Sequence, residues 1–279
     1  MPAAPPYLTF AADLASDAVV NAYDELPLWS AAFGALLLEH VPLAGIRTAL
    51  DVGCGTGFPL IELAERLGPA AEVHGVDPWQ AGLVRAKSKL AVRGVENVRL
   101  HDGSAAALPF DDATFDLIVS NLGINNFDDA PSVVRECRRV ARPGATIALT
   151  TNLQGHMQEF YAVFEEVLRA TGDRESIRRL REHIAHRATV SSACDLLETG
   201  GFTVKRVVER SSHMRFADGT ALFNHYFIKL GFLDGWKGTV PGTEATVFPA
   251  LEARLNERAQ QAGELSLTIP MAYIEGFVG

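Results

Sequence analysis

Cysteine is scarce in this 279-residue chain, which has only Cys54, Cys137 and Cys194. Three scattered thiols cannot make a disulfide framework or a zinc site. The expectation is therefore no metal and a reducing, cytoplasmic setting. Met1 to Glu25 contains no Lys or Arg, so the charged start of a secretory signal is missing. No apolar run approaches the length of a membrane span, so none is expected. Basic charge is short too: 25 Lys and Arg against 34 Asp and Glu leave a formal net charge of −9. That balance argues against a nucleic-acid partner gripped by its phosphates. The single basic concentration, Arg174-Glu175-Ser176-Ile177-Arg178-Arg179-Leu180-Arg181, has the spacing of a wet helix face.

Hydrophobic residues make up 48% of the chain, ample for a core. Strands alternate with helices from residue 48, as in a parallel sheet covered on both faces. The reading is strand 48–52, helix 59–67, strand 72–76, helix 80–92, short strand 98–100, strand 115–121 and helix 130–141. Arg142-Pro143-Gly144 then turns into strand 145–150. Beyond Thr151 the rhythm changes to helices at about 157–170, 174–186 and 191–199, strand 203–209, helical regions at 220–231 and 244–262, and an extended 265–277. His183 and His186 fall on the charged helix, and His74 within a core strand.

The most informative stretch is Leu50-Asp51-Val52-Gly53-Cys54-Gly55-Thr56-Gly57. An apolar strand meets an acid and then three alternating glycines, whose backbone can turn sharply and press against a ligand. Amides at the start of the next helix would face that ligand with partial positive charge. Asp51 would meet a cation instead. A site that welcomes a carboxylate on one side and an ammonium on the other fits an amino-acid-like cofactor. The spacing is G-x-G-x-G with Phe58 next, which departs from the G-x-G-x-x-G dinucleotide fingerprint.

Three further landmarks follow in order: Val76-Asp77-Pro78-Trp79, His101-Asp102-Gly103-Ser104, and Leu108-Pro109-Phe110-Asp111 leading into Phe115-Asp116-Leu117. Together with the glycine stretch they resemble the class I S-adenosylmethionine-dependent methyltransferases, in particular the small-molecule branch of ubiquinone and menaquinone biosynthesis. The likeness covers about residues 20–152 firmly and 190–210 loosely. It implies an α/β fold with a seven-stranded, mostly parallel, doubly wound sheet (Rossmann-like) and helical lid additions. It also implies S-adenosylmethionine as cofactor and S-adenosylhomocysteine as product.

By this resemblance Gly53, Cys54, Gly55 and Gly57 form the cofactor loop, and Asp77 holds both ribose hydroxyls. Asp102 accepts from the adenine amino group, with Gly103 and Ser104 beside it. Pro78 and Trp79 lie at the same edge, where Trp79 either covers the adenine or packs. Ser120-Asn121-Leu122-Gly123-Ile124-Asn125-Asn126 matches the place where methyl and acceptor meet. Its lack of a Pro-Pro-aromatic sequence counts against nucleobase amines. Asn121 and Leu122 are thus read with the cofactor, and Asn125 and Asn126 with the substrate, loop capping being their other role. Tyr23 and Trp29 either close over the ligands or pack their helices.

If the acceptor must lose a proton, a base helps. His156 and His225 are the weak candidates, and His213 is a third histidine in the same region. The expected organisation is an N-terminal helical lid segment (1–46), a cofactor-binding core (47–152), a helical insertion (153–188), a core helix and strand (189–211), a second insertion (212–263) and a closing strand (264–279). The partner is a small-molecule acceptor. A nicotinamide-dependent oxidoreductase and a non-catalytic cofactor-binding protein remain as alternatives.

Overall fold

The computed structural model describes residues 5–25 and 28–279, without the side chain of residue 28. Residues 1–4, 26 and 27 of the expected N-terminal segment lie outside the described residues. Seven strands form one sheet: β1 (Thr48–Val52), β2 (Glu72–Asp77), β3 (Val98–Asp102), β4 (Phe115–Asn121), β5 (Ala141–Asn152), β6 (Thr203–Phe216) and β7 (Leu265–Phe277). Their order is β3-β2-β1-β4-β5-β7-β6. β1 to β5 pair in parallel. β7 runs antiparallel to β5, with Thr146 opposite Phe277 and Asn152 opposite Met271. The strand order reverses direction between β1 and β4, and open sheets take ligands at the carboxyl ends of strands flanking such a switch.

The central strands are continuous apolar runs: Leu117, Ile118 and Val119 are fully buried, as a strand covered on both faces requires. α3 (Leu60–Leu67) and α4 (Gln80–Arg93) stop at glycines with positive φ, Gly68 at 80° and Gly94 at 66°. The amide of Ser132 donates to Asp129, which caps α5 (Ala130–Val140). α8 (Val190–Thr199) opens with a reciprocal Thr189–Ser192 capping box.

Two stretches differ from the sequence reading. β5 begins at Ala141, because Ala141 already pairs with Phe115 before the register slips to Thr146 opposite Leu117. Arg142 lies within that irregularity and binds Asp116 at 2.7 Å, so the expected turn is a bulged part of the strand. β6 continues to Phe216, past the charged Glu209-Arg210 at which the reading stopped. Its residues are half-buried at best, and Lys205, Arg206, Arg210 and Arg215 stud it, as suits a guarded edge strand.

The chain divides into two compact units. One comprises residues 14–152, 188–210 and 271–279 and carries α1 (Asp17–Asp24), α2 (Leu28–His40), α3, α4, α5 and α8. The other comprises residues up to 13, 153–187 and 211–270. It holds α6 (Gln158–Thr171), α7 (Arg174–Ala185), α9 (Gly219–Asn224), α10 (Tyr226–Gly231), α11 (Leu233–Lys237) and α12 (Glu244–Ala262). Its core is aromatic: Phe160 stacks on Trp236 at 4.1 Å between ring centroids, Phe232 stacks on Trp236 at 5.8 Å, and Phe223 meets Phe248 edge-on. The basic stretch of α7 is a wet face with ion pairs of its own, Arg178 to Glu175 and Glu182, and Arg181 to Glu165. His183 departs from that face: it hydrogen-bonds the Tyr161 hydroxyl at 3.2 Å, and burial, then the Arg187 charge, push its pKa down to about 4.

Candidate active site at the glycine loop

After β1 the backbone passes through Gly53, Gly55 and Gly57 with φ of 81°, 50° and 97°, a region that side chains other than glycine's enter at a cost. A Cβ at Gly57 would lie 2.9 Å from Ile61 Cδ1 and 3.1 Å from Ala86 Cβ, so the bare backbone lets the loop seat against its neighbours. A Cβ at Gly55 would meet nothing within 4 Å, which marks the open side of the bend. The amides of Gly53 and Cys54 donate to the Val76 carbonyl, that of Gly57 to the Cys54 carbonyl, and that of Gly55 to Asp77 Oδ2 at 2.7 Å. These amides are therefore engaged within the protein, and the polarity left for a ligand comes chiefly from carboxylates. The Cys54 side chain is buried, and burial raises its thiol pKa.

Asp51 is completely buried, and neither of its oxygens has a hydrogen-bond partner in normal geometry. Burial, then the charge of Asp77, push its pKa up to about 8, against a weaker pull from the Leu60 amide. The pKa of Asp77 is raised as well, by burial, although the amides of Trp79 and Gly55 bind it and oppose the shift. Two neighbouring acids pushed towards their neutral forms leave a deficit that a cation would relieve.

Trp79 packs: its ring covers Gly82, where a Cβ would fall 2.6 Å from the indole, and its Nε1 donates to the Leu14 carbonyl at 2.8 Å. Tyr23 meets that indole edge-on at 5.2 Å, and burial and the Asp77 charge raise its hydroxyl pKa. Trp29 stacks obliquely on Phe33. Pro78 is exposed, and Asp102, at the end of β3, accepts from Gln80 Nε2 at 2.6 Å. The Gly103 amide donates to the Asp77 carbonyl, and Ser104 Oγ accepts from the Ala106 amide.

At the end of β4, Leu122 adopts φ of 65°, a strained value for leucine, while its amide donates to the Thr150 carbonyl. Gly123 is required next, since a Cβ there would lie 2.4 Å from Ser120 Oγ. Asn121 donates to the Ser30 carbonyl and accepts from Thr150, and Asn125 is tied to Thr151 and Asn152. Asn126 bonds back to the Leu122 carbonyl, the loop-capping role.

The two histidines belong to the other unit. His156 is 2% exposed and stacks on Phe232 at 5.4 Å. Burial and the Arg187 and His183 charges push its pKa down to about 3, so it stays neutral at ordinary pH. His225 is half-buried, lies edge-on to Phe216, and has its pKa lowered by burial and Lys229.

Several contributors carried no signal beforehand. Gln80 is an unremarked first residue of α4, Ser30 and Leu14 act through their carbonyls, and Thr150 and Thr151 read as ordinary strand residues. Among the described residues no group of three or more His, Cys, Asp and Glu could hold a metal ion, and no helix is long and apolar enough to cross a membrane.

A family model described as a methyltransferase domain matches residues 50–149. The demethylmenaquinone methyltransferase of Anoxybacillus flavithermus is 39% identical over 124 residues, 43% of this chain and 52% of that protein. That of Listeria welshimeri is 31% identical over 171 residues, 58% of this chain and 72% of that protein. The chain thus spans about half the length of the first of these relatives and more of the second. Among solved structures, the YcgJ protein of Bacillus subtilis superposes with a TM-score of 0.56 at 20% identity, covering 89% of this chain and 98% of that one. That likeness concerns the fold.

Proposed function

The chain belongs to the class I S-adenosylmethionine-dependent methyltransferases of the quinone-biosynthesis type, and from that premise we propose that it methylates a small-molecule, menaquinone-type acceptor and yields S-adenosylhomocysteine. The observation that carries this reading is the unpaired, buried Asp51 carboxylate beside Asp77 under a glycine bend. Such a pair suits a cationic amino-acid nucleoside and repels a pyrophosphate. The cofactor, when bound, supplies a methyl group already activated on a sulfonium.

In this reading Asp51 takes the cationic amino-acid end, Asp77 the ribose hydroxyls, and Asp102, Gly103 and Ser104 the adenine edge. Gly53, Cys54, Gly55 and Gly57 shape the bend, and Pro78 and Trp79 border the nucleoside. Asn121 and Leu122 frame the methyl, with Tyr23, Trp29, Asn125 and Asn126 on the acceptor's side. Orientation and water exclusion then do most of the work, because little bond-making is asked of the protein. A ring acceptor that must lose a phenolic proton would use a histidine. His156 and His225 are the histidines proposed for that proton. We assign segments 47–152, 189–211 and 264–279 to the cofactor-binding core and 1–46, 153–188 and 212–263 to helical additions, in a cytoplasmic enzyme.

Calorimetric titration with S-adenosylhomocysteine and with NADH tests the cofactor: binding of the first alone is expected, and binding of NADH alone would overturn the reading. Transfer of labelled methyl into a quinone-containing extract should then mark a single small acceptor. Label found only in protein or nucleic acid would remove the small-molecule assignment.

A further inference from the structure

Asp24, the last residue of α1, follows Tyr23 in a Tyr-Asp pair like the one the quinone-type branch carries near its N-terminus, and the structure shows what holds it. Its side chain is 9% exposed, and two cations of α4 grip it: Arg85 Nε at 2.7 Å from Oδ2 and Lys89 Nζ at 2.6 Å from Oδ1. Thr56, inside the glycine loop, also pulls the pKa of this carboxylate down. Burial alone would raise this acid's pKa, but Lys89, Arg85 and Thr56 together hold it below the usual carboxylate range. One side chain therefore ties α1 to α4, next to the glycine loop.

The neighbours of Asp24 show what is being held. Tyr23 stands edge-on to Trp79 and feels the charge of Asp77. At the other end of the same segment, the Leu14 carbonyl accepts from the Trp79 indole. Residues 14–25 thus run as a strap along the nucleoside edge of the loop, fastened at Trp79 and at the Asp24 clamp. Each ion pair is worth little if it is exposed, but two short pairs converging on one shielded carboxylate resist water and each other's loss. Substituting that one carboxylate releases both.

We propose that Asp24 is a positioning residue: the Arg85–Asp24–Lys89 clamp keeps the strap closed with Tyr23 against the cofactor pocket, and its release governs cofactor exchange. This rests on the cofactor reading given above. The acceptor chemistry plays no part in it.

The test is the rate at which labelled S-adenosylhomocysteine leaves the full-length protein, measured with the cofactor's KM and with kcat. Asp24→Asn should speed dissociation and raise KM by about ten-fold, the loss expected for charge-assisted bonds, without lowering kcat at saturation. Asp24→Glu should restore most of the effect. Arg85→Gln and Lys89→Gln should each show a smaller change in the same direction, and they carry the test if Asp24→Asn fails to fold. Unchanged dissociation in well-folded variants overturns the clamp, as does a loss of kcat with KM unaltered. A wild-type protein that binds no S-adenosylhomocysteine would instead overturn the cofactor reading itself.

Discussion

Glu166 and Asp51 bring the same functional group into opposite circumstances. In the aromatic unit, three carboxylates are answered by partners: Glu166 meets Arg254 and Arg258, Glu165 meets Arg169 and Arg181, and Glu159 binds both the amide and the hydroxyl of Thr268. Their partners lower the pKa of each. In the sheet-bearing unit, Asp51 has only a weak pull from the Leu60 amide and Asp77 only backbone amides, and both are pushed upward. The contrast separates groups that serve the fold from groups left with a deficit. A protein tolerates an unpaired buried acid where a ligand makes good the deficit.

The largest expected effect belongs to the aromatic unit. Phe160→Ala removes a fully buried ring stacked on Trp236 and should cost about 3–5 kcal/mol of stability in denaturant unfolding. S-adenosylhomocysteine affinity of the folded fraction should persist, and a parallel loss would break the comparison. Asp77→Ala should weaken that affinity by roughly 1.5–3 kcal/mol through lost hydrogen bonds to a charged group, measured by calorimetry. Unchanged affinity would take Asp77 out of the site.

Asp51→Asn sharpens the contrast through pH. In the cofactor-free fold Asp51 keeps its proton up to about pH 8, whereas the unfolded chain releases it near 4. Its contribution to stability is therefore complete below about pH 4 and is lost as pH rises through about 8. Cofactor affinity should rise over the same window, because the ionised acid is the form that meets a cation. Asn at this position should flatten both slopes and stabilise the free protein near pH 8, where the wild type begins to carry a buried charge. A wild-type melting temperature that does not fall between pH 5 and 8 would count against this account. The smallest effect is reserved for Glu166→Gln, where an exposed ion pair is exchanged and no change in melting temperature or affinity is expected.

Much of this was legible from residue order. Gly53, Gly55 and Gly57 announced a turn because only glycine enters such backbone regions freely, and Asp77 and Asp102 announced themselves by closing β2 and β3. Continuous apolar runs named the buried strands, and Gly94 stopped α4 as a left-handed cap does. The bulge at Arg142 was hidden, because it lies in the pairing with Phe115 and Leu117 of another strand. The length of β6 was hidden too: an edge strand needs no apolar alternation on its open side. The place of the aromatic residues of 220–236 shows only in the fold, where Trp236 and Phe223 are fully buried.

Local chain chemistry, meaning turn residues, caps and hydrophobic periodicity, decided the order of strands and helices and the kind of cofactor this protein suits. Those signals act between residues a few positions apart, so a sequence displays them. Tertiary structure alone decided which acids are answered and which are left wanting, and that Asp24 is held by Arg85 and Lys89 more than sixty positions away. Charge and burial at a point depend on everything folded around it, and no stretch of sequence contains its own surroundings.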